Sequence, residues 1–394
     1  MTMQNSQVLD LMRSVAIVHV VLFHVLHGII RFVNQSDLSA VLSRYPVWMN
    51  FAWQPFGVDV IFMISAYLLS LGLIQNLDQT GTIDIRAYYI RRVSRIIPLY
   101  YVAIIIFAIA QKDTLTDVFL AATFVQFLFT GKAIVPVGWS MELMMLVYIC
   151  LPAIIWGLMQ LKRPLLWLCI AIVISLAIRF VALAAQPDQA VVLFTHLLDR
   201  DGVLPLAEDL YFRPWFRLTP FILGITLAIF TRNSSSKIDR MIASAPQRIS
   251  LYISAAILMY LALFLPIHDP QSWIYAATSP LFWVTYWTLN GAAFAVAACL
   301  TIIAGHGTNP VIRGPWAMIS RNIMGIYLFH MPLILVGAVI TFRSTQLDAL
   351  AHATVWHVWG VFTVAMLLSL GLSAVLNRFI EAPIQMALRR KMGL

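Results

Sequence analysis

Long apolar runs constrain this chain more than any other feature. Runs near the length of a bilayer-spanning helix lie at roughly 8–30, 56–76, 96–111, 138–160, 164–185, 215–231, 249–266, 279–304, 319–342 and 354–377. About 20 mostly apolar residues suffice to cross the hydrocarbon core. Of the 394 residues 61% are hydrophobic and 11% are charged, where a soluble domain carries roughly 25% charged residues. No soluble fold of this length buries so much apolar surface. The expectation is therefore an all-α integral membrane protein of about ten transmembrane helices, forming a single transmembrane domain over 1–394.

Charge placement orients the spans. The formal net charge is +9. In a soluble protein that balance would suggest nucleic acid, but here the basic residues sit in short loops between apolar runs, as the positive-inside bias requires. An eleventh run, 114–130, is short and contains Asp117. If it does not cross and the N-terminus is cytoplasmic, the inside segments hold 15 Lys/Arg and the outside segments 7. If it crosses, the count becomes 8 inside against 14 outside. Ten spans with both termini cytoplasmic is the better arrangement, with 114–130 re-entrant or interfacial. Arg31 and Arg44, in the first outside loop, run against the bias. The first run is too long for a signal-peptide core and has no basic leader, so it is read as a span. Cys150, Cys169 and Cys299 lie inside apolar stretches with no metal-ligand spacing. No soluble appendage, low-complexity tract or internal repeat is evident. The outside loop 186–214 carries Asp188, Asp199, Asp201, Glu208 and Asp209, read as a solvated loop or as an acceptor-binding segment.

Ionisable residues inside a membrane are costly and face a cavity or a partner. On the first helix Arg13 and His24 are eleven residues apart, about three turns, so they share a face. His27 lies one turn beyond, and His19 points elsewhere. Imidazole suits proton transfer because its unperturbed pKa is near neutrality. Asp59, opening the second span at a depth similar to His24, could orient that histidine or cap its own helix start. Arg91, Arg92 and Arg95 precede Pro98; on a helix they cluster, which suits phosphate oxygens or anionic lipid. Glu142 follows an interfacial Trp139 at the start of another span. Tyr327 and His330 lie mid-span before Pro332, and Arg378 and Glu381, near the inner end of the last span, are spaced to pair.

Together these segments resemble the acyltransferase type 3 family of bacterial membrane O-acyltransferases, from Leu9 to Pro383. Arg13 and His24 match its first-helix pattern of LD-x-L-R and a histidine eleven residues on. Gly57, Val58, Asp59 and Ser65 resemble its GVD-x-x-F-x-x-SG segment, with Ala66 in place of the glycine. Arg91, Arg92, Arg95, Pro98 and Tyr100 resemble RR-x-x-RI-x-P-x-Y. Trp139, Ser140, Tyr148 and Pro152 keep the spacing of its WS…FY…P segment. Tyr327, His330 and Pro332 resemble Y-L-x-H-x-P, and Glu381 and Pro383 its closing E-x-P. The family's glutamate comes five or six residues after the Trp, where this chain has Met144 and Met145. Glu142 is three after, about 200° around a helix from the first of those positions. Either the segment is locally irregular or Glu142 serves another purpose.

The resemblance implies ten spans in a bacterial cytoplasmic (inner) membrane. It implies acyl transfer, most often acetyl, from acyl-CoA to a sugar hydroxyl of a glycan or lipid-linked sugar, with no metal. Some relatives carry an outer hydrolase-like domain; the chain runs seventeen residues past its last span, and a standalone enzyme without that domain is expected. The expected catalytic set is His24 as general base, Asp59 and Glu142. The expected donor-binding set is Arg13, Arg91, Arg92, Arg95 and His330. The expected partners are the bilayer, acyl-CoA and the sugar acceptor. The competing reading is a secondary transporter or flippase with His24, Asp59 and His330 as a proton relay; transporters often show internal repeats. A third is a noncatalytic receptor or assembly protein.

Overall fold

The protein is described here by a computed structural model covering residues 3–30, 56–185, 212–233, 244–264, 273, 314–346 and 353–392. Among the described residues the regular structure is helical throughout. The helices are α1 (Met3–Ile30), α2 (Phe56–Thr80), α3 (Ile85–Gln111), α4 (Leu115–Ala122), α5 (Gln126–Thr130), α6 (Gly138–Gln160) and α7 (Pro164–Ala184). They continue as α8 (Thr219–Asn233), α9 (Ala245–Phe264), α10 (Pro315–Arg321), α11 (Ile323–Phe342), α12 (Val355–Leu376) and α13 (Ala382–Met392). Among the described residues, seven stretches are long and apolar enough to cross a membrane: Leu9–Leu26, Gly57–Thr80, Ile85–Gln111, Gly138–Gln160, Pro164–Ala182, Ile323–Phe342 and Val355–Leu388. Helices α8 and α9 fall on two further expected runs, and the expected run 279–304 lies outside the described residues. So do Arg31, Arg44 and most of the loop 186–214.

Three local features refine the expected boundaries. Helix α3 begins at Ile85, eleven residues before the apolar run, because the Asp84 side chain accepts from Ala87 N at 2.9 Å and caps it. The arginines at 91, 92 and 95 therefore stand on a continuous helix that passes through Pro98. Segment 114–130 does not cross. It forms α4, with a capping box between Thr114 and Asp117, then a break at Phe124 (φ 59°), then the single turn α5. At 1.5 Å per residue these helices are about 12 and 8 Å long, against a hydrocarbon core of about 30 Å. The Thr114 hydroxyl holds the exposed Asp117 carboxyl below the usual carboxylate range. The segment is pinned to its neighbours: Tyr101 Oη donates to Ala122 O at 3.1 Å, and Ile134 N donates to Gln126 Oε1 at 2.9 Å. At the other end of the chain, α12 passes through a π turn, Asn377–Glu381, into α13.

Helix α1 packs against α2, α10, α11 and α12. Its core-facing residues Ile17, Val20, Val21, Val25 and Ile29 recur at helical spacing and are buried. The crossing with α2 is close at Gly57, where a Cβ would lie 2.6 Å from Ala16 O and 2.8 Å from His19 Nδ1. Only glycine permits that approach. The N-terminal end of α1 is tied to α10: Ser14 Oγ donates to Trp316 O and Ser320 Oγ to Asp10 Oδ1, both at 2.7 Å. Helices α3 and α6 are joined where Pro152 interrupts α6. Proline has no N–H for the carbonyl four residues earlier, and Tyr88 Oη donates to that carbonyl, Tyr148 O, at 3.0 Å. Tyr89 Oη donates to the next one, Ile149 O, at 2.6 Å.

Candidate active site

Two histidines from opposite ends of the chain meet where α1 packs on α11. His330 Nε2 lies 3.1 Å from His24 Nδ1, with ring centroids 4.8 Å apart. His24 Nδ1 is also 2.9 Å from Val20 O, one turn back on its own helix. His330 Nδ1 is 2.7 Å from Tyr327 O and 3.2 Å from Ile326 O. His330 is 0% exposed, whereas His24 remains partly exposed. His19 is buried at the crossing with Gly57, on another face of α1.

One turn before His330 on the same face of α11, Tyr327 turns toward α6, where its hydroxyl lies 2.7 Å from Ser140 Oγ. Tyr327 also lines a cavity of about 300 Å³. The cavity's basic wall is Arg13 from α1 with Arg92 and Arg95 from α3, and its apolar wall includes Phe62, Met141 and Met144. Placing Arg92 and Arg95 together follows from the i,i+3 spacing on α3; Arg13 is added only by the packing of α1. The three guanidiniums repel one another, and Arg92 Nε is buried with no hydrogen-bond partner. A site that gathers like charge and leaves a buried donor unpaired is suited to a multivalent anion. Arg91 is exposed and does not line the cavity. Nor does His330, which the sequence grouped with these arginines.

The two carboxylates of the expected catalytic set, Asp59 and Glu142, have partners other than His24. Asp59 pairs with Arg217, whose Nη2 lies 2.9 Å from Asp59 Oδ1 with both side chains buried. Arg179 is the next cation toward Asp59, and the Arg217 guanidinium also sits 5.6 Å over the Trp139 ring. In the sequence Arg217 and Arg179 fall within the apolar runs 215–231 and 164–185. The rule that an intramembrane charge has a partner was the available signal, but it does not say which. Glu142 accepts from Phe127 N at 2.8 and 3.0 Å and from Leu128 N at 3.4 Å, capping α5 from outside. Helix α6 is regular through this stretch, so Glu142 faces the α4–α5 hairpin while Met141, Met144 and Tyr148 form the stripe along the cavity. Met144 thus stands on the cavity wall at one of the positions where the resembling family has glutamate. At the end of α12, Glu381 accepts from Asn377 and Gln385 at 3.3 and 2.9 Å, and Arg378 lies over the Phe379 ring.

Comparison with known proteins finds relatives along most of the chain. OatA, an O-acetyltransferase of Staphylococcus aureus (strain NCTC 8325 / PS 47), is 24% identical over 361 residues, covering 84% of this chain and 52% of OatA. A protein of Staphylococcus aureus (strain COL), provisionally named an O-acetyltransferase, is 24% identical over 329 residues, covering 75% of this chain and 49% of its own length. The peptidoglycan O-acetyltransferase OatA of Listeria monocytogenes is 32% identical over 73 residues, 18% of this chain and 12% of that protein. The chain spans about half the length of the first two relatives. No solved structure gives a significant match. The sequence model of the acyltransferase domain matches residues 7–378, from the helix of Arg13 and His24 to the start of the π turn that ends at Glu381. This chain belongs to that acyltransferase family.

Proposed function

We propose that this protein is a multi-pass membrane O-acyltransferase of the bacterial inner membrane. It moves an acyl group, acetyl foremost, from cytoplasmic acyl-CoA to a sugar hydroxyl of an extracytoplasmic glycan or lipid-linked sugar. The observation that carries this reading is the arginine-walled cavity that reaches Tyr327, one helical turn from the His24–His330 pair. The phosphates of acyl-CoA suit Arg13, Arg92 and Arg95. Bound there, the donor supplies a thioester carbonyl and a sulfur leaving group. Partly exposed His24 takes the proton of the acceptor hydroxyl as its oxygen attacks the carbonyl carbon. The carbon–sulfur bond then breaks, and the imidazolium returns the proton to the departing sulfur. A hydroxyl is a weak nucleophile at its free pKa and needs such a base.

Depth supports a two-sided reaction. His24 lies about 16 Å along α1 from Arg13, at 1.5 Å per residue, a large part of a hydrocarbon core of about 30 Å. A donor on one side and an acceptor on the other would use that separation. Purified protein in liposomes with labelled acetyl-CoA inside and a soluble sugar acceptor outside should release acylated sugar outside. No consumption of acetyl-CoA, with transport of a solute instead, would return the chain to the transporter reading. Sidedness has its own test: cysteines placed in 232–248 and 186–214 should label from opposite faces, with 232–248 cytoplasmic. Equal labelling of both by an impermeant reagent in intact cells would sink the ten-span topology.

A further inference from the structure

We infer that His330 is a positioning residue: it accepts a hydrogen bond from His24 Nδ1–H and so leaves His24 Nε2 as the nitrogen that takes the acceptor's proton. The inference rests on the acyl-transfer reading and adds to it the atom that acts as base and the residue that selects it.

The argument is a hydrogen-bond inventory. A neutral imidazole has one N–H and one lone pair, and its partners fix which nitrogen carries which. His330 Nδ1 lies 2.7 Å from Tyr327 O and 3.2 Å from Ile326 O. Carbonyl oxygens only accept, so Nδ1 carries the hydrogen. His330 Nε2 is then a lone pair, and its neighbour at 3.1 Å is His24 Nδ1. His24 Nδ1 also lies 2.9 Å from Val20 O, another acceptor. Both contacts are satisfied only if His24 Nδ1 carries a hydrogen shared between the Val20 carbonyl and His330 Nε2. The lone pair of His24 is thereby left on Nε2. Exposure divides the pair the same way, for His330 is sealed and His24 is partly open. In the sequence the place of the orienting partner fell to Asp59. In the fold that carboxylate is paired with Arg217, and the partner is a neutral imidazole 306 residues from His24 in the chain.

His330 can be replaced by two residues that differ in the property at issue. Gln at 330 keeps an oxygen able to accept from His24 Nδ1–H, whereas Phe keeps the ring and removes the acceptor. His330→Phe should lower kcat about 10–100-fold, the effect seen when a histidine loses its hydrogen-bonding partner in metal sites, with acyl-CoA affinity unchanged. His330→Gln should recover most of that loss. Acyl-CoA binding also reports whether each variant is folded. A rise in KM for acyl-CoA at unchanged kcat would make His330 a donor-binding residue and overturn the proposal. So would wild-type kcat in His330→Phe, or a Gln variant as slow as the Phe variant. A second measurement needs no variant: in ¹⁵N-histidine-labelled wild-type protein, His24 should show its hydrogen on Nδ1. A hydrogen on Nε2 would overturn the proposal even if His24→Ala is inactive, whereas an active His24→Ala would instead sink the acyl-transfer reading beneath it.

Discussion

The histidine pair and the arginine wall of the cavity, whose Arg13 stands about 16 Å from His24 along α1 at 1.5 Å per residue, are built on opposite principles. At the arginine end like charges are crowded, one buried donor nitrogen is unpaired, and open volume remains. At the histidine end the two rings face each other, and three of their four nitrogens have a neighbour within hydrogen-bonding distance. The first is unsatisfied and suits a ligand that brings charge. The second is nearly satisfied and holds one nitrogen in reserve. In the proposed reaction, binding falls to the region that lacks partners, and proton transfer to the region whose partners leave a single free position.

The sharpest way to break that division is His24→Ala. Loss of a general base typically costs about 10²–10⁴ in rate, so acylation of the acceptor should become undetectable at matched protein level while acyl-CoA binding persists. Wild-type turnover in this variant would leave the histidine end without a chemical role. Next in size is Asp59→Ala. Removing one member of a buried ion pair destabilises by about 3–5 kcal/mol, so the unfolding midpoint in detergent should fall. Any activity loss should track the folded fraction. A variant of wild-type stability with lowered kcat would instead put Asp59 back beside His24. Within the arginine end, Arg95→Ala should weaken acyl-CoA binding by roughly 1.5–3 kcal/mol, the range for hydrogen bonds to charged groups. Arg91→Ala, at an exposed position off the cavity wall, should stay within about 0.5 kcal/mol, as surface substitutions usually do. Equal losses in the two variants, read by titration with acyl-CoA, would mean that the cluster acts through its summed field and not through the cavity.

Much of this arrangement was legible beforehand because a membrane helix is nearly a one-dimensional object. The rise per residue converts sequence position into depth, so Arg13 near one boundary and His24 well beyond it follow from eleven residues and a helical pitch. The same reasoning placed Arg92 and Arg95 on one face; the Lys/Arg count, a separate argument, kept 114–130 from crossing, and there the structure has only the short α4 and α5. Gly57 was visible as part of a motif, but its reason, the approach of Ala16 O, required the partner helix.

What the sequence by itself determined is therefore the class of protein, its all-helical construction, and the spacing of the polar groups along each helix. The tertiary structure decided who stands next to whom. Asp59, His330 and Glu142 were all plausible neighbours of His24, because spacing along a helix is what the sequence supplies. Azimuth around the bundle comes from packing: the Gly57 crossing, the ties of Ser14 and Ser320, and the stripe of Met141, Met144 and Tyr148. That packing turned Asp59 to Arg217, Glu142 to the amides of α5, and His330 to His24. A buried polar group takes whichever partner the packed helices bring within about 3 Å, and no spacing along a single helix specifies the face of another.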